Sequence, residues 1–529
     1  MKKIKWCTLL LTMAAVLITA GCEKEADDTS ETKTVHVERS DWADDVKKAV
    51  NDFIDAYGKN SANYNPNSYV VSDFDNTCSI FDVEEQLAAY QLQVMAFKIE
   101  PSALADVLKT DLPDLTATKA DKDYTLVEGA HSYQDWIDDI TAAYSYLYTE
   151  YGPFTAAGLD TAKQATVQAD PQWLEFAAKM RAMYDVVYDN ESAAVAYPWV
   201  LYWFTNMTED EVYNLAKASH EKYKAVETSE VTWTSPESVS SKVGQVKYKW
   251  TSGTQVSQNI NEMFEAFQNN GIKVWICSAS ATDPIRAAVD VWGLHDKVTG
   301  VLAMTNKLEN GKYVNQYDYE AGYAWYANAD GTWTKGTVPT KAQTQGAGKV
   351  TAVNNVLGKL YGCGPLAGFM DSTGDYDFCT VYESLKLVIC FNRATRKVTD
   401  GGGVIGEMAI YERDTLGYDL AKANAAGDTL YVLQGREENG LRTLRNSNKT
   451  MRYGKTEELL FRDYKDELNE NQAQLDYMIS HKMTVKEALD KFAAKTAADA
   501  PGNDLGFKYG FHSNYAGYHT VKDSSFAGN

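Results

Sequence analysis

An α/β fold built on an open, mainly parallel sheet is what this sequence predicts, and three observations carry the prediction. Two apolar runs, Tyr69-Val70-Val71 and Gly364 to Met370, each deliver aspartates at the point where a strand must stop. From about residue 257, amphipathic helices and strand-like runs alternate, as they do when helices flank a parallel sheet. Between about 83 and 255 that alternation lapses into a mainly helical, ring-rich stretch, which reads as a separate domain inserted into the first. A chain of 529 residues with 44% hydrophobic content can bury a core of this size.

The N-terminus reads as an address. Met1-Lys2-Lys3-Ile4-Lys5 is basic, Trp6 to Ile18 is apolar, and Thr19-Ala20-Gly21-Cys22 is a small-residue stretch, together a signal peptide over 1–21. The apolar run is too short for a typical membrane span. A cysteine directly after Ala-Gly resembles the bacterial lipobox, which implies lipidation at Cys22 and an exported lipoprotein of the cell envelope, at the periplasm or cell surface. Contact with the membrane is then expected through the lipid anchor only. Residues 22–39, polar and acidic, read as a flexible tether. Loss of Lys2, Lys3 and Lys5 with the signal takes the net charge from −22 to −25, which argues against nucleic acid as a partner. Five cysteines remain beyond Cys22: Cys78, Cys277, Cys363, Cys379 and Cys390. Their odd count and lack of CxxC spacing suit small buried hydrophobes rather than a disulfide framework.

The first folded element is expected as a helix from about Asp41 to Tyr57. Ser40 is placed to cap it, Val46, Val50, Phe53 and Ile54 share a face, and Gly58 can close it. Tyr69 to Val71 then suits a buried strand ending in Ser72-Asp73-Phe74-Asp75-Asn76-Thr77. Carboxylates at i and i+2 past a strand's C-terminal end face the crevice where open α/β sheets bind ligands. Alone, such a pair reads as a solvated acidic turn; the rest of the chain changes the balance. Asp82-Val83-Glu84-Glu85 leads into a helix carrying Leu87, Tyr90, Leu92 and Met95. Glu84 and Glu85 suit the positive end of that helix, and alternatively the border of a pocket. Most rings of the following stretch, Trp136, Tyr144, Trp199 and Trp203 among them, are expected in its core, with a strand over Lys242 to Trp250.

Beyond the insertion, Ile260, Met263, Phe264 and Phe267 define a helix ended by Asn269-Asn270-Gly271, and Ile272 to Cys277 a strand running into Ser278-Ala279-Ser280. Asp283-Pro284 follows as a helix start. Ser278 beside a helix N-terminus is either an anion site or an ordinary capping serine. Val298 to Met304 is a strand, and Tyr323 to Trp333 a hairpin about Asn328-Ala329-Asp330-Gly331. Lys349 sits in the first turn of a helix opened by Gly346, against the dipole, as a surface lysine or as one facing an anion. Gly364 to Met370 ends in Asp371-Ser372-Thr373-Gly374-Asp375, and Leu387 to Phe391 adds another strand.

In order and context, Asp73-Phe74-Asp75-Asn76-Thr77, Ser278, Lys349, and Asp371 with Asp375 resemble the four motifs of the haloacid dehalogenase superfamily, scattered over residues 69 to 391. The resemblance implies a Rossmannoid core over 40–82 and 256–399, with a large, mainly helical cap over 83–255 inserted between motifs one and two. It implies a phosphatase: Asp73 as nucleophile, Asp75 as general acid and base, and Thr77, Ser278 and Lys349 as phosphoryl-binding residues. Mg²⁺ would be held by Asp73, the Asp75 backbone carbonyl, Asp371 and Asp375. The cap would close over the site and select the substrate. The segment Asp75 to Glu85 further looks like the phosphorylcholine phosphatase pattern, which implies a small phosphomonoester such as phosphocholine, with Glu84 and Glu85 facing it.

Residues 400–529 read as a C-terminal extension, with a loop at Gly401-Gly402-Gly403 and helices over Thr456 to Leu475 and Val485 to Ala493. Its tail carries His512, Tyr515, Tyr518 and His519, residue types that mostly have no site role when solitary. The competing expectation is a non-catalytic substrate-binding or scaffold lipoprotein that keeps the same fold. Against it stand the acids at 73, 75, 371 and 375, which a binder does not need.

Overall fold

Strands buried on both faces are unbroken apolar runs, and the central sheet is made of them. The computed structural model describes residues 33–320, 323–394, 401–440, 442–460 and 472–492. In it β1 (Tyr69–Ser72), β2 (Lys273–Ala281), β3 (Gly300–Met304), β4 (Trp325–Ala327), β5 (Trp333–Lys335), β6 (Ala367–Met370), β7 (Leu387–Phe391) and β8 (Leu430–Gln434) form one sheet, in the order β5-β4-β3-β2-β1-β6-β7-β8. β1, β2, β3, β6, β7 and β8 are parallel, while β4 runs against β3 and β5 against β4. Val70 of β1 pairs with Val274 of β2 on one side and Ala367 of β6 on the other. The core is therefore a mixed α/β, Rossmann-like one.

The helices up to the motif lysine are α1 (Asp44–Tyr57), α2 (Val83–Val94), α3 (Pro101–Lys109), α4 (Tyr133–Tyr151), α5 (Thr161–Gln168), α6 (Pro171–Glu191), α7 (Ala193–Leu201), α8 (Glu209–Ala225), α9 (Gln258–Asn269), α10 (Thr282–Val291) and α11 (Ala347–Val353). Alternation along the strands sends Val70, Val274, Ile276, Phe369 and Ile389 to one apolar layer, packed on α1, α9 and α10. Tyr69, Val71, Trp275, Val388 and Cys390 go to the other, with α11 and the helices Gly401–Tyr411, Gln472–Ser480 and Val485–Phe492.

Several expectations need correction. α1 begins behind Ala43 with no side-chain cap rather than at Ser40, and Asp44 and Asp45 in its first turn stand at the helix's positive end instead. Gly58 does close it, its N–H donating to the Ile54 carbonyl. α10 begins behind Ala281; Asp283 is drawn off the capping role by Arg286, 2.6 Å away, and by the Tyr313 hydroxyl, also at 2.6 Å. Gly401-Gly402-Gly403 opens a helix, where Gly402 passes so close to the Asp371 carbonyl that a Cβ would stand 2.2 Å from it. Glu458–Leu459 is a strand and the helix thought to span 456–475 covers Gln472–Ser480; positions 461–471 lie outside the described residues. Residues 34–39, read as tether, lie against the fold, with Val37 buried and the Glu38 and Arg39 N–H groups donating to Glu262. β8 comes from beyond residue 400, so the sheet continues into the segment read as an extension. The signal, Cys22 and the tail residues His512, Tyr515, Tyr518 and His519 lie outside the described residues. Among the described residues no helix is long and apolar enough to cross a membrane, and the five cysteines from Cys78 on are unbridged.

The inserted segment has its own apolar cluster, in which Trp136, Tyr144, Phe176, Trp199 and Trp203 are fully buried. It includes a hairpin of Ser229–Thr234 with Lys247–Ser252, somewhat later than the strand expected from Lys242. The chain enters this segment through Ser79–Ile80 and leaves it through Gln255–Val256, which pair antiparallel. A second hairpin, Asn306–Glu309 with Lys312–Tyr317, adds Tyr313 and Tyr317 to the same cluster from the other side of the sequence. α8 is bonded to α10: the Tyr213 hydroxyl donates to Asp290 at 2.5 Å, His220 Nε2 to the Pro284 carbonyl at 3.0 Å, and Lys224 to the Val291 carbonyl at 2.8 Å.

Candidate active site

The strand order reverses about β1, whose neighbours β2 and β6 lie far apart in sequence. Such a switch point opens a crevice at the carboxyl ends of the strands. Asp73 directly follows β1 and Asp371 directly follows β6; Asp375 closes the short turn after Asp371. Oxygen atoms of these three buried carboxylates lie within 4.8 Å of one another. Lys349, in the first turn of α11, bridges two of them, with Nζ 2.5 Å from Asp73 Oδ1 and 2.6 Å from Asp375 Oδ1. Its unfavourable place on the dipole is thus explained by partners rather than by solvent. Arg393 pairs with Asp371 at 3.0 Å.

Burial pushes the Asp73 carboxyl up to about 6, with Asp375 adding to the rise and Lys349 opposing it. Asp75 is pushed up to about 7, again chiefly by burial and then by Asp73. Its Oδ1 accepts from the Val83 N–H at 2.7 Å, and its Oδ2 from the Ser280 hydroxyl at 2.6 Å and the Ser278 hydroxyl at 3.4 Å. A carboxyl held near neutrality beside an ionisable neighbour can give and take a proton in the physiological range.

Asp73, Asp75, Lys349, Asp371 and Asp375, all singled out in the sequence, line one cavity of about 300 Å³. Thr77 and Ser278 do not line it. Thr77 is buried and donates to Asp371 at 3.3 Å, while Ser278 is wholly buried and supports Asp75. Ser280, two positions further along β2 and therefore on the same face, lines the cavity instead. Asp82 caps α2, its Oδ1 accepting from the N–H groups of Glu84 and Glu85 at 2.8 and 2.9 Å. Glu84 and Glu85 both border the cavity as well as standing at the positive end of α2. Burial, then Asp82, pushes Glu84 up to about 8, and its Oε2 accepts from the Ala281 N–H at 3.0 Å.

Sequence reasoning missed the far wall. Arg181, Tyr184 and Tyr188 recur at i, i+3 and i+7 on one face of α6, and Tyr197 joins them from α7. That spacing was available as a signal, but in a run so rich in rings it did not stand out from core. Arg181 is 2% exposed, stands over the Tyr184 and Tyr248 rings at 4.9 and 4.6 Å, and pairs with Asp185 at 2.8 Å and Glu85 at 3.7 Å. Tyr188 and Tyr197 stack at 5.9 Å and 25°. Arg393, also on the lining, lies two residues past β7, outside any motif.

At the acidic end, four carboxylates (Asp73, Asp75, Asp371, Asp375) face two cations (Lys349, Arg393). The surplus of negative charge, all of it carboxylate, is what a hard divalent cation with oxygen ligands matches.

No family model and no curated protein matches the chain. Among solved structures, a conserved protein of unknown function from Anaerococcus prevotii DSM 20548 superposes with a TM-score of 0.62 at 24% identity, over 80% of this chain and 99% of its own. It shares the fold. Cytosolic 5'-nucleotidase IIIB bound to cytidine aligns over 67% of this chain and 83% of its own with a TM-score of 0.25 at 13% identity, too low to say more.

Proposed function

We propose that this chain is a phosphomonoester hydrolase of the haloacid dehalogenase superfamily, working through an aspartyl-phosphate on Asp73. The observation that carries the reading is the placement of Asp73 and Asp75 past the central strand, both open to one cavity, with Lys349 and the other two motif acids around them. An Asp73 carboxylate oxygen attacks phosphorus as the bond to the leaving alcohol breaks, and Asp75 gives the alkoxide its proton. Asp75, now ionised, takes a proton from water; that oxygen attacks the same phosphorus, releasing phosphate and restoring Asp73. Lys349 sets a positive charge beside the Asp73 carboxylate that receives the phosphoryl group. Asp73, Asp371 and Asp375, with the Asp75 backbone carbonyl, would hold Mg²⁺, whose charge offsets that of the phosphate when it is bound.

The substrate is a small phosphomonoester whose alcohol carries a cation, phosphocholine being the type. A cavity of about 300 Å³ suits a small ester. Arg181 already takes the Tyr184 face and pairs with Glu85, which leaves the stacked Tyr188 and Tyr197 on the lining for a substrate cation. One ring contact contributes roughly 0.5–2 kcal/mol, about tenfold in preference. The protein would act in the cell envelope, anchored through a lipid on Cys22; loss of fatty-acid labelling in Cys22→Ala tests that.

Hydrolysis of 4-nitrophenyl phosphate, with Mg²⁺ and with EDTA, tests the activity: turnover is expected with the metal and lost with the chelator. Ligand binding without turnover would favour a substrate-binding lipoprotein instead. The kcat/KM values for phosphocholine, phosphoethanolamine, phosphoserine and glycerol phosphate test the substrate, and equal values would overturn the cation preference.

A further inference from the structure

The segment past residue 434 reaches back into the nucleophile loop. After β8 the chain forms a small sheet of Arg436–Glu437, Thr443–Leu444, Thr450–Met451 and Glu458–Leu459. Arg436 and Glu438 are almost wholly buried, at 3% and 4% exposure. The guanidinium turns one edge to Glu438 Oε1, with Nε at 3.0 Å and Nη2 at 2.7 Å. Two more of its donors go to Asn76: Nη1 to the backbone carbonyl at 2.9 Å and Nη2 to Oδ1 at 3.3 Å, across 360 positions of sequence. Glu438 is fixed in turn by the Tyr453 N–H, 3.0 Å from its Oε2.

Asn76 is a place where such a hold matters. It has φ 62, in the left-handed region that residues with a Cβ adopt rarely and asparagine more readily than most, and it directly follows Asp75. The peptide bond joins it directly to Asp75, so a shift of the Asn76 backbone moves the Asp75 carboxyl relative to the Val83 N–H and the Ser280 hydroxyl that bond it. A planar fork with five donors can bond a carboxylate and a peptide carbonyl together; an ammonium cannot reproduce the geometry.

We infer that Arg436, backed by Glu438, is a positioning residue that holds Asn76 and thereby fixes the Asp75 carboxyl for proton transfer. The role rests on the phosphatase reading. Its test is Arg436→Lys, which keeps the charge beside Glu438 and loses the fork, with kcat measured on 4-nitrophenyl phosphate and on an alkyl ester such as glycerol phosphate. The aryl leaving group departs without a proton and the alkoxide does not, so a displaced Asp75 is felt mainly on the alkyl ester. Circular dichroism and KM should be close to wild type, with kcat on the alkyl ester falling about tenfold further than on the aryl one. Glu438→Gln should show the same asymmetry at smaller size, and it decides the matter if Arg436→Lys does not fold. Equal losses on the two esters, as a smaller folded fraction would give, or no loss at all, would overturn the positioning role. Wild-type protein that turns over neither ester would overturn the phosphatase reading itself, and the role with it.

Discussion

Asp73 and Asp75 lie two positions apart and have different surroundings: the first touches Lys349, whereas the second accepts from hydroxyls and a backbone N–H. Different roles follow, and different losses. Asp73→Asn keeps the shape of the side chain and removes the attacking oxygen, so turnover should fall by roughly 10⁴-fold or more with the circular dichroism spectrum unchanged. Near-wild-type rates in Asp73→Asn would exclude an aspartyl-phosphate. Asp75→Asn should cost about 10²–10⁴-fold on alkyl phosphates and much less on 4-nitrophenyl phosphate. These two residues, with Lys349, Asp371 and Asp375, were legible because each stands where a strand or loop meets a helix and carries a charge that local structure does not call for. Ser280 was not, since Ser278 is the serine nearer the apolar run and only the continuation of β2 to Ala281 places the second on the cavity. Arg393 was hidden because the Asp371 that it pairs with comes from another strand, and Arg181 because Glu85 and the Tyr248 ring reach it from distant elements while its local partners Tyr184 and Asp185 look like ordinary helix neighbours.

At the scale of the element, the inserted segment is held by polar contacts as well as by rings. Lys179 of α6 is fully buried, 2.9 Å from Asp139 of α4 and bonded to Glu175 one turn away, and Asp139 also accepts from the Lys242 and Val243 N–H groups. Removing the cation while leaving its acids buried is costly, so Lys179→Met should destabilise the fold by about 3–5 kcal/mol, read as a lower denaturant midpoint. His220 joins α8 to the start of α10, and burial pushes its imidazole down to about 4, only partly offset by the Pro284 carbonyl. From the ordinary value near 6.5 down to about 4, the unfolded chain takes a proton that the folded chain refuses, so stability is complete above that window and falls as pH drops through it. From pH 7.5 to 5.0 the loss from this one group is about 2 kcal/mol. Denaturant unfolding at both pH values, in wild type and in His220→Gln, isolates it: the variant should show a shallower decline by that amount, and equal declines would place the histidine in solvent.

For the whole molecule the decisive feature is that the sheet does not stop at β7. β8 pairs with β7 from Leu387 opposite Leu430 to Phe391 opposite Gln434, and the helices Gly401–Tyr411, Gln472–Ser480 and Val485–Phe492 cover the face that carries Tyr69, Val71 and Trp275. A chain ended at residue 399 would expose the edge of β7 and that apolar face together. It should lose the cooperative thermal transition seen by calorimetry and collect in the insoluble fraction, whereas a soluble, cooperatively melting product would make residues 400–529 a true appendage.

By itself the sequence determined what periodicity and local charge can express. The strands β1, β2, β6 and β7, the ring-rich insertion between the motifs, and the acids and lysine at the strand ends all lie in short windows whose pattern matches what each window does. Tertiary structure alone decided what depends on residues brought together from far apart. Glycines 401–403 read as a loop by propensity, yet open a helix in which the close approach of Gly402 to Asp371 admits no side chain at that position. Asp283 carries the residue type of a cap and is taken by Arg286 and Tyr313 instead. The far wall of the cavity, the eighth strand, and the arginine that holds Asn76 across 360 positions were settled by packing and burial, which no local pattern encodes.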